Sequence, residues 1–431
     1  MLVRVVLRNW MSFREETTFS MIASEERRHA RRVFRHRRLR TRFLPVAAIY
    51  GGNASGKTNF FKALNFVKQF VVRGRLPNDP ISVEPFRLDA GSSGQPTFFC
   101  FELLIGEQIY VFSFSVTAER VLEEKLTRVE SNSKEVPLYE RRADDVTFGG
   151  ASETSDFHRF LAQSTRGNQL FLTSSVNLNF PDFQPVYEWF RDTLELVGPD
   201  TRFAPFGRFM DEEDPRYKEM NALLARLDTG VIRLGGKESR IEDLPIFAGD
   251  IQEGMTVQIS MGGPKNRRYV VSRKNGQLIT KQLVTYHAGE DGTEIPFDPH
   301  QESDGTLRVI DLLPAFVELS SPDARKVYVV DEIDRSLHTL LTRGLLENYL
   351  NSCLSNAKKQ LLFTTHDVLL MDPELFRRDE MWICDRQLSG ETTLIALSEF
   401  KEALTDRDLR GSYLRGRMGG IPRLLLDGLL G

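Results

Sequence analysis

The sequence predicts an α/β fold: a mixed central sheet with phosphate-binding and acidic groups at its strand ends, an antiparallel β subdomain, and a helical insertion. Three observations predict it. The apolar run 45–50 leads into Gly51-Gly52-Asn53-Ala54-Ser55-Gly56-Lys57-Thr58, followed by a helix with Phe60, Phe61, Leu64, Phe66 and Val67 on its apolar side. A second apolar run, 327–330, ends in Asp331-Glu332, and an expected strand, 360–365, ends in His366-Asp367. Each polar cluster falls at the end of an expected strand, where open α/β sheets bind ligands.

The first cluster is G-x-x-x-x-G-K-[ST] with both flanks in place, strand before and helix after. Its glycines let backbone N–H groups curl around phosphate oxygens, and the helix N-terminus adds its positive end. Asn53, Ala54, Ser55, Gly56 and Asn59 line such a loop. Lys57 reaches the β- and γ-phosphates, and the Thr58 hydroxyl is placed to ligate Mg²⁺. The expected ligand is therefore a nucleoside triphosphate, ATP, with its magnesium ion.

Composition sets the frame. The chain has 431 residues, 41% hydrophobic and 27% charged, with a net charge of −3. That is enough chain for two or three cores. No apolar run approaches the roughly 20 residues of a membrane span. The first ten residues alternate like a strand and lack the continuous apolar stretch of a signal peptide. Cys100, Cys353 and Cys384 are widely spaced with no metal-ligand pattern, which reads as reduced thiols of a cytoplasmic protein.

In chain order, 2–8 and 17–21 are expected strands, separated by Asn9-Trp10-Met11-Ser12-Phe13. Between Arg27 and Arg42 lie nine arginines in sixteen residues. Such a run is a solvated loop, a salt-dependent contact for nucleic acid, or a dock for an acidic partner. Phe34 and Leu39 inside it argue that part of it packs. From 97 to 142, short apolar runs alternate with turns, Gly106-Glu107 among them, and form an antiparallel sheet. Helical spacing follows at 157–163, 183–196 and 215–227, an insertion of about eighty residues. No heptad pattern persists for three turns, so no long coiled coil is expected. Residues 230–300 return to short strands and polar turns such as 261–266.

The chemistry resumes at Ser303-Asp304-Gly305, ahead of a helix through Leu307, Ile310, Leu312, Leu313 and Phe316. Ser303 Oγ, the Gly305 N–H and the helix dipole make a second anion pocket, although an ordinary helix cap has the same pattern. Asp331, 28 residues on, is placed to hold Mg²⁺. Glu332 is placed to take a proton from an attacking water. Asp334 opens the segment 334–338, and His366, 35 residues beyond Asp331, can contact the γ-phosphate. Lys57, Glu332 and His366 are thus the candidate catalytic groups, and Thr58 and Asp331 the candidate metal ligands.

Taken together, Asn9–Phe13, the 51–58 loop, 302–306, 329–338, 361–367, 377–382 and 413–422 resemble the ABC-class ATPases called AAA15, related to the overcoming-lysogenisation-defect and Rad50-like ATPases. AbiL-type abortive-infection ATPases and the ATPase of the PARIS system are similar in layout. The resemblance implies a head-to-head ATP sandwich in which Ser303, Gly305 and Asp334 serve the nucleotide on another subunit, forming a homodimer or higher oligomer. It divides the chain into 1–150 and 296–431, two halves of one ATPase head, around a helical and mixed insertion at 151–295. It also implies anti-phage defence: a sensor that holds a separate toxic effector, a TOPRIM-type nuclease, until a phage product disturbs the complex. No TOPRIM acid cluster follows His366. The Q-loop glutamine of the family has only one candidate, Gln169, and Arg377, Arg378 and Arg417 are candidate interface residues. The alternative function is a DNA-repair or DNA-binding ATPase of the RecF or Rad50 kind, with the arginine run gripping phosphates. DNA-stimulated hydrolysis would favour the alternative, and a co-purifying neighbour the sensor.

Overall fold

The computed structural model describes residues 1–130, 134–149, 156–200, 214–239, 251–261, 267–400 and 408–421. They form two compact units, the first of 1–199, 322–333 and 350–431, the second of 200–321 and 334–349.

The first unit opens with β1 (Leu2–Arg8) and β2 (Thr17–Ser20), a small hairpin β3 (Phe34–His36) and β4 (Thr41–Phe43), then β5 (Val46–Tyr50) and α1 (Lys57–Arg73). Next come β6 (Thr97–Ile105), β7 (Gln108–Val116), β8 (Val121–Val129), β9 (Glu135–Arg142), β10 (Asp145–Phe148), α2 (Asp156–Ser164), α3 (Phe171–Asn177), α4 (Gln184–Glu188) and β11 (Leu194–Val197). The second unit holds α5 (Pro215–Leu224), β12 (Val231–Glu238), β13 (Thr256–Met261), β14 (Arg267–Lys274), β15 (Gln277–Ala288), β16 (Glu294–Phe297) and α6 (Asp304–Ser320). The chain ends with β17 (Val327–Val330), α7 (Thr339–Asn351), β18 (Gln360–Thr365), β19 (Met381–Arg386), β20 (Thr392–Ala396) and α8 (Leu409–Leu414).

Two sheets build the first unit. The central sheet runs β11-β17-β18-β5-β19-β20, with every neighbouring pair parallel except β19 with β20. Its strands β5, β17 and β18 are buried along their whole length, which is why they read as continuous apolar runs rather than alternating ones. The second sheet is antiparallel, β10-β9-β8-β7-β6-β1-β2, and includes the turn at Gly106, whose φ of 62° suits a residue without Cβ. Helix α1 buries Phe60, Ala63, Leu64, Val67, Phe70 and Val71, the i, i+3, i+4, i+7 stripe of a helix lying on a core. Phe66 meets Phe99 at 5.5 Å between ring centroids, and Phe70 meets Phe114 at 5.9 Å.

One expectation needs correction, and two features gain a structure. The helix expected over 183–196 breaks. Its apolar spacing is real, but the chain leaves α4 through a π-turn at Trp189–Thr193 and becomes strand β11, pairing in parallel with β17. Leu194 there is buried in the core, so sheet pairing overrides the helical pattern. Helix α3 had no sequence expectation. It forms because Glu124 of β8, fully buried, accepts the N–H groups of Phe171 (2.6 Å) and Leu172 (2.9 Å), capping the helix from another element. The arginine run is no free arm: it folds as the β3–β4 hairpin, with Phe34 and Phe43 buried and Leu39 packed beside them.

In the second unit, β12 to β16 form a five-stranded antiparallel sheet, as the short strands of 230–300 suggest. Of the turn expected at 261–266, residues 262–266 lie outside the described residues. Arg268 of β14 forms a buried pair with Asp311 of α6 at 2.8 Å. His287 of β15 lies 2.7 Å from the Glu302 carboxylate, directly before Ser303.

Candidate active site

The site begins at the turn between β5 and α1. Gly51 carries no Cβ because one would sit 2.4 Å from the Cys384 carbonyl. Gly56 has φ 113°, and a Cβ there would lie 2.2 Å from Thr392 Oγ1. Only glycine fits both positions. The loop therefore lies tight against β19 and β20 and opens at the start of α1, where the N–H groups and the helix dipole favour an anion. Lys57 is 4% exposed. Its Nζ donates to the carbonyls of Gly51 (2.8 Å) and Gly52 (2.9 Å) and lies 3.4 Å from His366 Nδ1.

The two carboxylates and the histidine arrive on the neighbouring strands. Asp331 and Glu332 follow β17, and His366 follows β18. Thr364 joins them. Its hydroxyl donates to Asp331 Oδ1 at 2.6 Å and accepts the Glu332 N–H at 2.8 Å. Glu332 sits at φ 50°, a left-handed conformation that costs a non-glycine residue of order 1 kcal/mol or more and persists only when its surroundings hold it. The Glu332 carboxylate lies 4.0 Å from His366 Nε2. Asn53, Ala54, Ser55, Gly56, Lys57, Thr58, Asn59, Glu332 and His366 all line one cleft of about 640 Å³. Asp331 is fully buried.

Several residues of the cleft had no site role in the sequence reading. Met11 and Ser12 line it, with a segment at 84–88 and Arg386. Ser12 Oγ accepts from Asn59 Nδ2 at 2.7 Å, and the Thr392 hydroxyl lies 2.8 Å from both Ser12 Oγ and the Ser55 carbonyl. The Asn9–Phe13 turn thus braces the phosphate loop from the antiparallel sheet, as Trp10 Nε1 donates to the Asn59 carbonyl at 2.9 Å. The glycines near the C-terminus brace it from the other side, since the Gly420 carbonyl accepts the Gly52 N–H at 2.6 Å and the Tyr413 hydroxyl at 2.7 Å. Below the loop, burial pushes the Cys384 thiol up to about 12, which leaves it a packing group.

Ser303, Gly305 and Asp334 belong to the second unit. Ser303 caps α6, its hydroxyl accepting the Thr306 N–H at 3.0 Å. A Cβ at Gly305 would fall 2.7 Å from the Ser336 carbonyl, so the start of α6 packs on the segment that follows Asp334.

Two expectations fail here. Gln169 is not beside the phosphate loop: its side chain lies against Gly74, which closes the far end of α1, some 25 Å along that helix from Lys57 at ~1.5 Å per residue. It holds Arg166 instead, at 2.6 Å. Arg377 is not an interface residue. It is 1% exposed and commits its guanidinium to Asp379 and to the carbonyls of Glu26 and Arg28, because a buried guanidinium needs all its donors met.

The donor set fits a nucleotide with magnesium. A glycine cradle and a helix N-terminus suit phosphate, and one hydroxyl with one or two carboxylates is the ligand set Mg²⁺ takes from proteins, the remainder being phosphate and water. Among the described residues no cluster of three or more metal-ligating side chains offers an all-protein cage. No described helix is long and apolar enough to cross a membrane.

Comparison with solved structures finds similar folds. The SMC head domain from Thermotoga maritima is 13% identical, covering 92% of this chain and 98% of that one, with a TM-score of 0.35. An SMC head bound to the C-winged helix domain of ScpA is 12% identical over 92% and 99%, with a TM-score of 0.37. The recombination mediator RecF with ATP is 10% identical over 92% and 97%, with a TM-score of 0.34. No curated protein matches the sequence. The sequence pattern of one family does match, over residues 46–372, which spans the phosphate loop, the paired carboxylates and His366. The chain, with its mixed α/β fold, belongs to the AAA-domain family described as putative AbiEii toxin, Type IV TA system.

Proposed function

We propose that the protein is an ATP hydrolase whose site is completed by a second copy of the chain, and that it serves as the sensor and scaffold of a two-component anti-phage system. The observation that carries the hydrolase reading is the convergence of Lys57, Glu332 and His366 on one cleft, with Asp331 held beside them by Thr364. Lys57 and the loop N–H groups bind the phosphates. Thr58 and Asp331 would hold the magnesium ion, which would supply charge neutralisation to the phosphates. Glu332 accepts the proton of the attacking water, and His366 orients it toward the γ-phosphate. The composite reading rests on Ser303 and Gly305, an anion-binding helix start, and on Asp334 beside it. The defence reading rests on the family, whose description names a toxin of a Type IV toxin–antitoxin system, and on the likeness to AbiL-type and PARIS ATPases. The companion is then a separate effector, a TOPRIM-type nuclease, and the trigger a phage protein.

The test is Glu332→Gln purified with the product of the neighbouring gene. Light scattering with ATP and Mg²⁺ is expected to show a stable assembly carrying that product and turning ATP over at least about a hundredfold more slowly than wild type. Wild-type turnover would remove Glu332 as the base, and an assembly without the neighbour would remove the scaffold role.

A further inference from the structure

The hydrolase site uses nothing from the Arg27–Arg42 segment, yet that segment is built with care. Arg32 turns inward, bonding the buried Glu380 carboxylate and, at 2.9 Å, the Leu375 carbonyl. Phe34 and Phe43 face each other across β3 and β4 at 6.2 Å and are buried. The His36 ring accepts the Leu39 N–H at 3.1 Å through Nδ1, which pins the four-residue turn and tucks Leu39 into the core beneath. What remains outside is almost purely cationic. Arg27, Arg28, Arg31, Arg35, Arg37, Arg38 and Arg40 are exposed, and among the described residues none of these seven guanidinium groups forms an ion pair. The arginines at 32 and 42 of the same run are paired, Arg42 with Glu25 at 2.7 Å. Glu107, beside the turn, is committed to Lys358 at 2.7 Å and to His36 Nε2 at 3.0 Å.

A rigid strip of unpaired like charge repels itself, and Arg35 also stands directly opposite Arg42, a like-charge pairing that destabilises a hairpin. In a chain with net charge −3, this is a local field rather than an overall excess, and it calls for an equally dense anion. Duplex nucleic acid carries about one negative charge per 1.7 Å of axis. The run contains no lysine, and the guanidinium fork matches phosphate bidentately. Both aromatic residues of the hairpin point inward, so it offers no platform on which unpaired bases could stack. The geometry points to a docking surface for the phosphate backbone of double-stranded nucleic acid, centred on Arg35, Arg37, Arg38 and Arg40 and indifferent to base sequence. This proposal goes beyond the hydrolase reading and does not depend on it.

The experiment is a salt titration of binding to a labelled duplex of about 20 base pairs, by fluorescence anisotropy without nucleotide. Four phosphate contacts at about 0.9 each give a log–log slope near −3.6, so raising salt from roughly 50 to 200 mM weakens binding about 150-fold. The variant Arg35→Gln/Arg37→Gln/Arg38→Gln/Arg40→Gln changes only exposed side chains and is expected to melt no lower than wild type while losing most of that slope. Lys57→Ala is expected to bind the duplex as wild type does, so loss of the nucleotide site leaves this result standing. Three results would overturn the proposal: no duplex binding at low salt, an unchanged slope in the quadruple variant, or tighter binding of poly-glutamate or single-stranded DNA than of the duplex.

Discussion

Thr364→Val replaces a buried hydroxyl by a methyl of the same shape. In the wild type that hydroxyl bonds both acids of the site, donating to Asp331 Oδ1 at 2.6 Å and accepting the Glu332 N–H at 2.8 Å. The first bond is charge-assisted and worth about 1.5–3 kcal/mol, the second about 1 kcal/mol. The variant is therefore expected to lose about 2–4 kcal/mol of stability and to keep its fold. Its effect on catalysis is larger in kind, because the lost N–H bond helps hold Glu332 at φ 50°. With Glu332 free to relax, turnover is expected to fall about a hundredfold, the lower end of what a positioned general base contributes. The phosphate loop is untouched, so the KM for ATP should move less than about threefold. Steady-state hydrolysis measured beside direct nucleotide binding separates the two. Thr364→Ser restores the hydroxyl and should restore turnover. Unchanged turnover in the valine variant, or an equal loss in the serine variant, would refute the reasoning.

Other predictions follow from the same geometry. Lys57→Ala is expected to abolish nucleotide binding in a fluorescent-ATP assay, and retained affinity would contradict the loop assignment. Gly56→Ala places a Cβ 2.2 Å from Thr392 Oγ1 at φ 113°; strain of about 1–3 kcal/mol predicts ATP binding weaker by about 5- to 150-fold without loss of the duplex contact. Burial pushes the Glu380 carboxyl up to about 7 despite Arg32 beside it. The folded state then holds more protons than the unfolded one between about 4.5 and 7, so the stability this group contributes is present below that window and lost as pH rises through it. Melting curves of Glu380→Gln and wild type should accordingly diverge in the variant's favour as pH rises from about 5 to 8.

Much of the fold was legible where local pattern and burial agree. Strands β5, β17 and β18 are buried on both faces, so each wrote itself as an apolar run ending in its polar group. The antiparallel sheet was legible by alternation, and Ser303 by its place as a cap. What failed was non-local. Leu194–Val197 continues the helical spacing of the segment before it, and only pairing with β17 makes it a strand. Helix α3 depends on Glu124, 47 residues upstream. Gln169 stood in a suitable string but at the wrong end of α1. Arg377 read as surface charge, yet Asp379 and three backbone carbonyls bury it. Thr392 carries no motif, and Met11, Ser12 and Thr364 stand in strings that carry the resemblance without announcing a role, because each acts through one hydroxyl or one van der Waals surface delivered by a distant element. For the arginine run the sequence announced the charge and, through Phe34 and Leu39, the packing, but not that seven guanidinium groups would lack an ion pair among the described residues.

The central claim is that one copy's phosphate loop works with another copy's Ser303. Mixing two inactive variants tests it most directly. Lys57→Ala keeps the α6 helix start and loses the loop, whereas Ser303→Arg keeps the loop and blocks the helix start. Each alone should be inactive in an ATP hydrolysis assay. Mixed in equal amounts, half of the two-fold dimers pair one of each and hold one intact site in two, so about a quarter of wild-type activity should return. If the mixture stays at the level of its separate components, or if Ser303→Arg alone hydrolyses ATP normally, the composite site is contradicted.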